Sequence, residues 1–207
     1  MKIKNFWWLI SVIIIVFLSC TKQSEPNIGK DNYYISKKNP IKKENNRIVS
    51  VSPQITELLC DLGCKSRLVG RTDFCKYPLD IKSVPSIGGI NNANLEKIIS
   101  LKPDIVITSS IFTKKMFTTI EDAGIPIISF KESNKIEGMY NVITILGKIT
   151  NKNNEAKALI ANCKRQIQEI KTKRDSINSI RHITKKPKVY YVVGFGSSGD
   201  FSGGKDT

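Results

Sequence analysis

Between Arg71 and Tyr77 the chain reads RTDFCKY, which sets a guanidinium, two aromatic rings and a thiol within one short stretch. A guanidinium pairs with carboxylates and phosphates, and an ammonium such as that of Lys131 adds a point charge. Phe74 and Tyr77 offer flat faces for a planar ligand, although local packing before Pro78 competes for Tyr77. A second chemical signature is Gly194-Phe195-Gly196-Ser197-Ser198-Gly199, a literal G-x-G-x-x-G after the run Val189–Val193. A dinucleotide fingerprint needs a helix opening at its last glycine and an acidic residue about 20 positions on. The residues after Gly199 are Asp-Phe-Ser-Gly-Gly-Lys-Asp-Thr, which carry no helical pattern. Gly203-Gly204-Lys205-Asp206 also lacks the Ser or Thr of a phosphate loop. No Ser-His-Asp elbow or H-x-x-E-H is present, so no catalytic residue is expected.

The thiols are Cys60, Cys64, Cys75 and Cys163, with Cys20 upstream. There is no C-x-x-C pair and the one histidine, His182, is distant in sequence, so no metal site built from the chain's own ligands, and no cofactor, is expected. In an exported chain Cys64 with Cys75 is the disulfide to test first.

Positioning such groups requires a scaffold, and the apolar pattern supplies one. Strands are expected at Ile48–Val51, Leu68–Gly70, Val84–Ile87, Ile105–Thr108 and Pro126–Phe130, with helices at Thr56–Leu62, Leu95–Leu101, Lys114–Ala123 and Ile136–Ile149. Alternation of this kind predicts an α/β lobe with a parallel, Rossmann-like sheet covered on both faces. From Asn154 to Ile180 there is no Gly or Pro, and apolar residues fall three or four apart, predicting one long helix. The expected division is therefore a lobe over 47–150, a helix over 151–183, and the first strand of another α/β lobe over 184–207.

The net charge of +15 comes from 33 scattered Lys and Arg residues with no basic block, so nucleic acid is not an expected partner. At the N-terminus, Lys2 and Lys4 precede an apolar run from Phe6 to Leu18, too short to span a bilayer comfortably. Phe17-Leu18-Ser19-Cys20 resembles a bacterial lipobox, which implies a signal peptide over 1–19, lipidation of Cys20 and an extracytoplasmic, membrane-anchored chain. Phe17 departs from the aliphatic residue usual there. The polar stretch 20–46 reads as a flexible tether.

The pieces "RIVSVSPQITELLCDLGCKSRLVGRTDFCKYP", "SIGG" and "NLEKIISLKPDIVITSS" occur in this order. Together they resemble the N-terminal lobe of the iron-siderophore, haem and cobalamin substrate-binding proteins of ABC importers. The resemblance is strongest from Arg47 to Phe130. It implies two lobes joined by a rigid helix, a monomer, and a metal-chelate ligand held in the cleft between the lobes. It also implies that Glu96 salt-bridges to arginines of the importer's permease subunits; a solvated helix-start carboxylate is the other reading. Ligands of parallel α/β sheets bind beyond the carboxyl ends of the strands. That rule selects Ser52, Pro53, Arg71, Phe74, Tyr77, Gly88, Gly89, Ser109 and Lys131 as ligand-binding candidates. On this reading the glycine loop at 194–204 is the cleft-facing loop of the second lobe, and a chain ending there is expected to bind ligand weakly or not at all. A surface lipoprotein acting as haem scavenger or adhesin without transport, and a nucleotide-binding enzyme, are the alternatives.

Overall fold

The structure, a computed structural model, describes residues 33–36, 38–42, 44–109, 113–131, 133 and 135–181, with the backbone of 192–194 and 201–202. The expected signal peptide, Cys20, Ser110, His182 and the interior of the glycine loop lie outside the described residues.

The elements run β1 (Tyr33–Ile35), β2 (Ile48–Ser50), α1 (Pro53–Asp61), β3 (Leu68–Arg71), α2 (Leu95–Ser100), β4 (Ile105–Ser109), α3 (Lys114–Asp122), β5 (Ile127–Phe130), α4 (Ile136–Ile149), α5 (Asn153–Ile180), β6 (Val192–Gly194) and β7 (Phe201–Ser202). The main sheet has the order β1-β5-β4-β2-β3. Its central pairs are parallel, with Val49 opposite Val106 and Ile107 opposite Ile128. β4, buried along Ile105–Thr108, reads as the continuous apolar run of a strand covered on both sides. Val49, Val106 and Ile127 pack with Ile98, Met116 and Ile120 of α2 and α3. Residues alternate between faces along a strand, and Ser50 meets Thr56 of α1 on the opposite side.

The helices begin where capping chemistry permits. Asn94 Oδ1 accepts from the Lys97 N–H at 2.8 Å to open α2, and Thr113 Oγ1 accepts from Met116 N–H at 3.2 Å to open α3. α1 starts three residues earlier than its apolar pattern indicates, because extended Ser52 (φ −144°) presents Pro53 at the first turn, where proline's missing N–H costs nothing. α4 keeps its expected bounds, and α5, at 28 residues, runs about 42 Å.

The parallel pairing expected of the lobe holds among β2 to β5, and β1, upstream of it, joins β5 antiparallel with Tyr33 opposite Phe130. Two expectations are corrected. The stretch 20–46 is not a free tether in its second half. Ser36 Oγ donates to Glu121 at 2.8 Å, and Asn45, fully buried, donates to the Lys42 and Ile149 carbonyls at 3.0 and 2.8 Å. Polar composition concealed these contacts because asparagine and serine anchor through hydrogen bonds instead of apolar area. Finally, Val84–Ile87 is no strand. A single parallel bridge joins Arg71 to Ser86, preceded by a 3₁₀ turn at Leu79–Ser83, and Gly88 at φ +93° ends the pairing.

Around the glycine motif, β6 and β7 pair antiparallel, with Val192 opposite Ser202 and Gly194 opposite Phe201. A strand returning at Phe201 takes the place of the helix that a dinucleotide fingerprint requires.

Candidate ligand-binding rim

The carboxyl ends of β2, β3, β4 and β5 lie side by side in the sheet, so the segments leaving them share one edge. The loop after β3 projects furthest in chemistry. Its backbone is pinned to the strand-like segment behind it: Arg71 N–H donates to Pro85 O at 3.0 Å, Ile87 N–H to Arg71 O at 2.8 Å, and Asp73 N–H to Gly88 O at 2.9 Å. Ser86 Oγ donates to the Asp73 carboxylate and accepts from Gly88 N–H at 3.1 Å. Gly89 sits where a Cβ would collide with Asn92 Oδ1, so the turn into α2 closes tightly.

Beneath this loop runs a buried polar chain. Ser50 Oγ donates to Ser52 O at 3.1 Å, and Thr56 Oγ1 donates to Ser50 Oγ at 2.9 Å. Cys75 Sγ lies 3.1 Å from Thr56 Oγ1 and 3.2 Å from Thr72 Oγ1. These contacts hold a loop with little apolar area of its own, and buried polar groups left unpartnered would be costly. Sequence reading missed Thr56 and Thr72, whose spacing from Cys75 carries no signal until the loop is folded.

On that base Phe74 and Tyr77 stand 57% and 62% exposed, so packing does not account for Tyr77. Leu79, 81% exposed, joins them and was not anticipated. A depression of about 320 Å³ is lined by Phe74, Ile90, Asn91 and Asn92. Another, of about 560 Å³, is lined by Arg71, Asp73, Cys75, Lys76, Leu79 and Lys82. Asn91 and Asn92 were not anticipated from the sequence.

Arg71 does not offer its charge as expected. Its Nε donates to Ile81 O at 3.0 Å, and its two terminal nitrogens to Thr72 O at 2.9 Å and Lys82 O at 3.4 Å. Three backbone carbonyls thus take three of the five guanidinium N–H groups. Ser52 is buried, with its carbonyl taken by Thr56 N–H at 3.0 Å, and Pro53 is half-buried as the first residue of α1. Ser109 is half-buried, and its carbonyl accepts from Ser129 Oγ at 3.1 Å. Lys131 is exposed, with its ammonium 4.9 Å from the centre of the Tyr34 ring, a partner supplied by β1. Glu96 is exposed in the first turn of α2. The structure brings Phe74 close to Gly89, keeps Tyr77 exposed on the same loop, buries Ser52 and leaves Arg71 lining the larger depression.

The Cys64–Cys75 bridge, the pairing to test first, is not formed. Cys60, Cys64, Cys75 and Cys163 are all free thiols, Cys64 Sγ being directed to Leu62 O at 3.7 Å. Among the described residues no group of histidine, cysteine and carboxylate side chains is arranged to hold a metal ion, and no helix is long and apolar enough to cross a membrane.

Residues 48–204 match the family profile described as periplasmic binding protein, which takes in the lobe, the long helix and the β6–β7 pair. The chain belongs to the periplasmic binding protein family. Members of this family are solute-binding proteins for ABC transporters and not enzymes. An ABC transporter substrate-binding lipoprotein of Bacillus subtilis is 32% identical over 141 residues, covering 67% of this chain and 45% of that protein. A cobalamin-binding protein of Halobacterium salinarum is 26% identical over 155 residues, 74% of this chain and 41% of its own length. Among solved structures, the periplasmic haem-binding protein RhuT of Roseiflexus sp. RS-1 in its apo form superposes with a TM-score of 0.65 at 26% identity, covering 80% of this chain and 61% of that one. The chain thus spans under half the length of the two curated relatives.

Proposed function

We propose that the rim is one wall of a site for a metal chelate with a broad planar or aromatic surface, a haem, a cobalamin or a ferric siderophore, delivered to an ABC importer. The observation that carries this reading is the exposed pair Phe74 and Tyr77 on a loop whose every other anchor is buried or hydrogen-bonded. Exposed aromatics cost solvation unless something covers them, and a flat ligand face does so. The names of the Halobacterium and Roseiflexus relatives, a cobalamin binder and a haem binder, support the ligand class. Lys131 adds one cation at the edge of this wall, suited to a propionate or carboxylate. Glu96, exposed and away from the rim loop in sequence, is the carboxylate assigned to permease docking.

Extracytoplasmic placement with a lipid on Cys20 fits the same reading, with the Bacillus relative's name as a lipoprotein in support. Two acyl chains or more on one cysteine suffice for stable anchoring.

The test is absorbance titration of the chain with haem, cobalamin and a ferric siderophore. A saturable absorbance change with at least one of the three is the expected outcome. Replacing Phe74 and Tyr77 together by Ala should weaken the responding ligand about tenfold, or roughly 1.4 kcal/mol. Equal titration curves for the parent and the double variant would remove the rim from the site.

A further inference from the structure

Three thiols converge under the rim loop. Thr56 and Cys60 are one turn apart on α1, and side chains four apart on a helix stand about 6 Å apart at Cβ. Cys75 Sγ touches Thr56 Oγ1 at 3.1 Å, so Thr56 has the loop's thiol against its hydroxyl and Cys60 one turn further along its own helix. Cys75 is 2% exposed, whereas Cys60 is half-buried and open to reagents. Cys64 comes after the end of α1, is wholly buried, and points to the Leu62 carbonyl. Burial pushes the Cys60 thiol up and the nearby Lys65 pulls it down, while Asp61, Cys75 and Cys64 each push it up again, as expected for thiols within electrostatic reach.

We infer that Cys60 and Cys75 form a reversible dithiol–disulfide pair that sets the position of the rim loop 71–77. The half-exposed Cys60 reacts first. Its thiolate, having lost a proton to solvent, attacks one sulfur of an external disulfide, a small-molecule disulfide or an oxidoreductase, and releases the other sulfur as a thiolate. The Cys75 thiolate then attacks the Cys60 sulfur of that mixed disulfide and expels the second external thiolate. Two thiols have given up two electrons and two protons, and the external disulfide has become two thiols. A disulfide needs Cβ atoms about 3.5–4.5 Å apart, and the Cys75 sulfur is at present the partner of Thr56 and Thr72. Oxidation therefore draws Cys75 off Thr56 and Thr72, and Phe74 and Tyr77, on either side of it in the chain, move with it. The supply of oxidant in the cell rests on the extracytoplasmic reading, but the reactivity of the pair does not.

The full 207-residue chain, purified in detergent, would be equilibrated with oxidised glutathione, alkylated, and cleaved on both sides of Cys60 with trypsin and an Asp-N protease. Cutting before Asp61 separates Cys60 from Cys64. The expected product is a Cys60–Cys75 linked peptide, reversed by dithiothreitol, with Cys64 and Cys163 alkylated. Cys60→Ser abolishes it and Cys64→Ser does not. Amide exchange over 72–77 should change roughly threefold or more on oxidation of the parent and stay unchanged in Cys60→Ser. A Cys60–Cys64 or Cys64–Cys75 peptide, or thiols that stay unbridged, would overturn the assignment. Cys60→Ser, at a half-buried position, keeps the fold, which its thermal midpoint checks. Cell fractionation decides the compartment separately.

Discussion

The two ends of the sheet treat polar side chains in opposite ways. At the amino ends of the strands, charge is consumed by backbone. Asp104 accepts from the N–H groups of Asn46 and Arg47, both at 3.0 Å, and from Lys42 at 3.2 Å. Arg47 donates to the Leu101 and Lys102 carbonyls at 2.6 and 3.1 Å, and Arg67 donates to Thr150 O at 2.7 Å, joining β3's approach to the turn between α4 and α5. At the carboxyl ends, Phe74, Tyr77, Leu79 and Lys131 face solvent. One end is tied down by hydrogen bonds and the other presents exposed side chains. Arg71 breaks the pattern, being a closing residue at the open end.

The largest effect is expected at the closed end. Asp104→Ala removes the acceptor of two N–H groups and of the exposed Lys42 ammonium and should cost roughly 2 kcal/mol in urea unfolding, with rim titrations unchanged. Burial alone would raise the Asp104 carboxyl, but Lys42 and the N–H groups of Asn46 and Arg47 outweigh it and hold it below its ordinary value. Because the folded value is the lower one, the group stabilises the fold above the ordinary value near 3.8 and loses that contribution as pH falls through the depressed one. Asp104→Asn should flatten the stability profile below about pH 4. An unaltered profile in that variant would make Asp104 an open-end kind of residue after all.

Arg71 comes next, and it sharpens the contrast. Arg71→Ala should cost about 1–2 kcal/mol, and Arg71→Lys should recover little, because an ammonium cannot reach three carbonyls in a plane. If Arg71→Ala instead left stability intact and lowered ligand affinity, the guanidinium would belong to the site.

This distinction between supports and contacts is where sequence reading reached its limit. The strands whose ends define that edge were legible, because apolar runs and the Asn94 and Thr113 caps fix the elements locally. Whether Arg71 faces a ligand or its own loop depends on where residues 81 and 82 return, a contact ten residues away with no periodic signature. The same holds for β1, whose three residues acquire a place only by pairing with β5, almost a hundred positions later. Cys75 looked like half of a disulfide until two threonines supplied it with hydrogen-bond partners.

Phe74 and Tyr77 should invert the Asp104 result. Replacing both by Ala is expected to change stability by within about 0.5 kcal/mol, since neither is packed, while weakening ligand binding as stated above. A loss of stability near that of Asp104→Ala would mean that the aromatics close the lobe instead of opening it.

The smallest effect concerns Lys131, which stands between the two classes. Its ammonium is exposed, like the open end, yet it lies over the Tyr34 ring, like a closing contact. A double-mutant cycle of Lys131→Met with Tyr34→Leu separates the two. An exposed cation–π contact is worth about 0.5 kcal/mol, so a coupling of that size identifies Lys131 as a clasp that keeps β1 on the edge of β5. With no measurable coupling, the ring does not hold the ammonium, and its charge is available to an anionic group on the ligand. In that case Lys131→Met should reduce both the affinity and its salt dependence, since an exposed charge pair is screened over about 10 Å at 0.1 M salt.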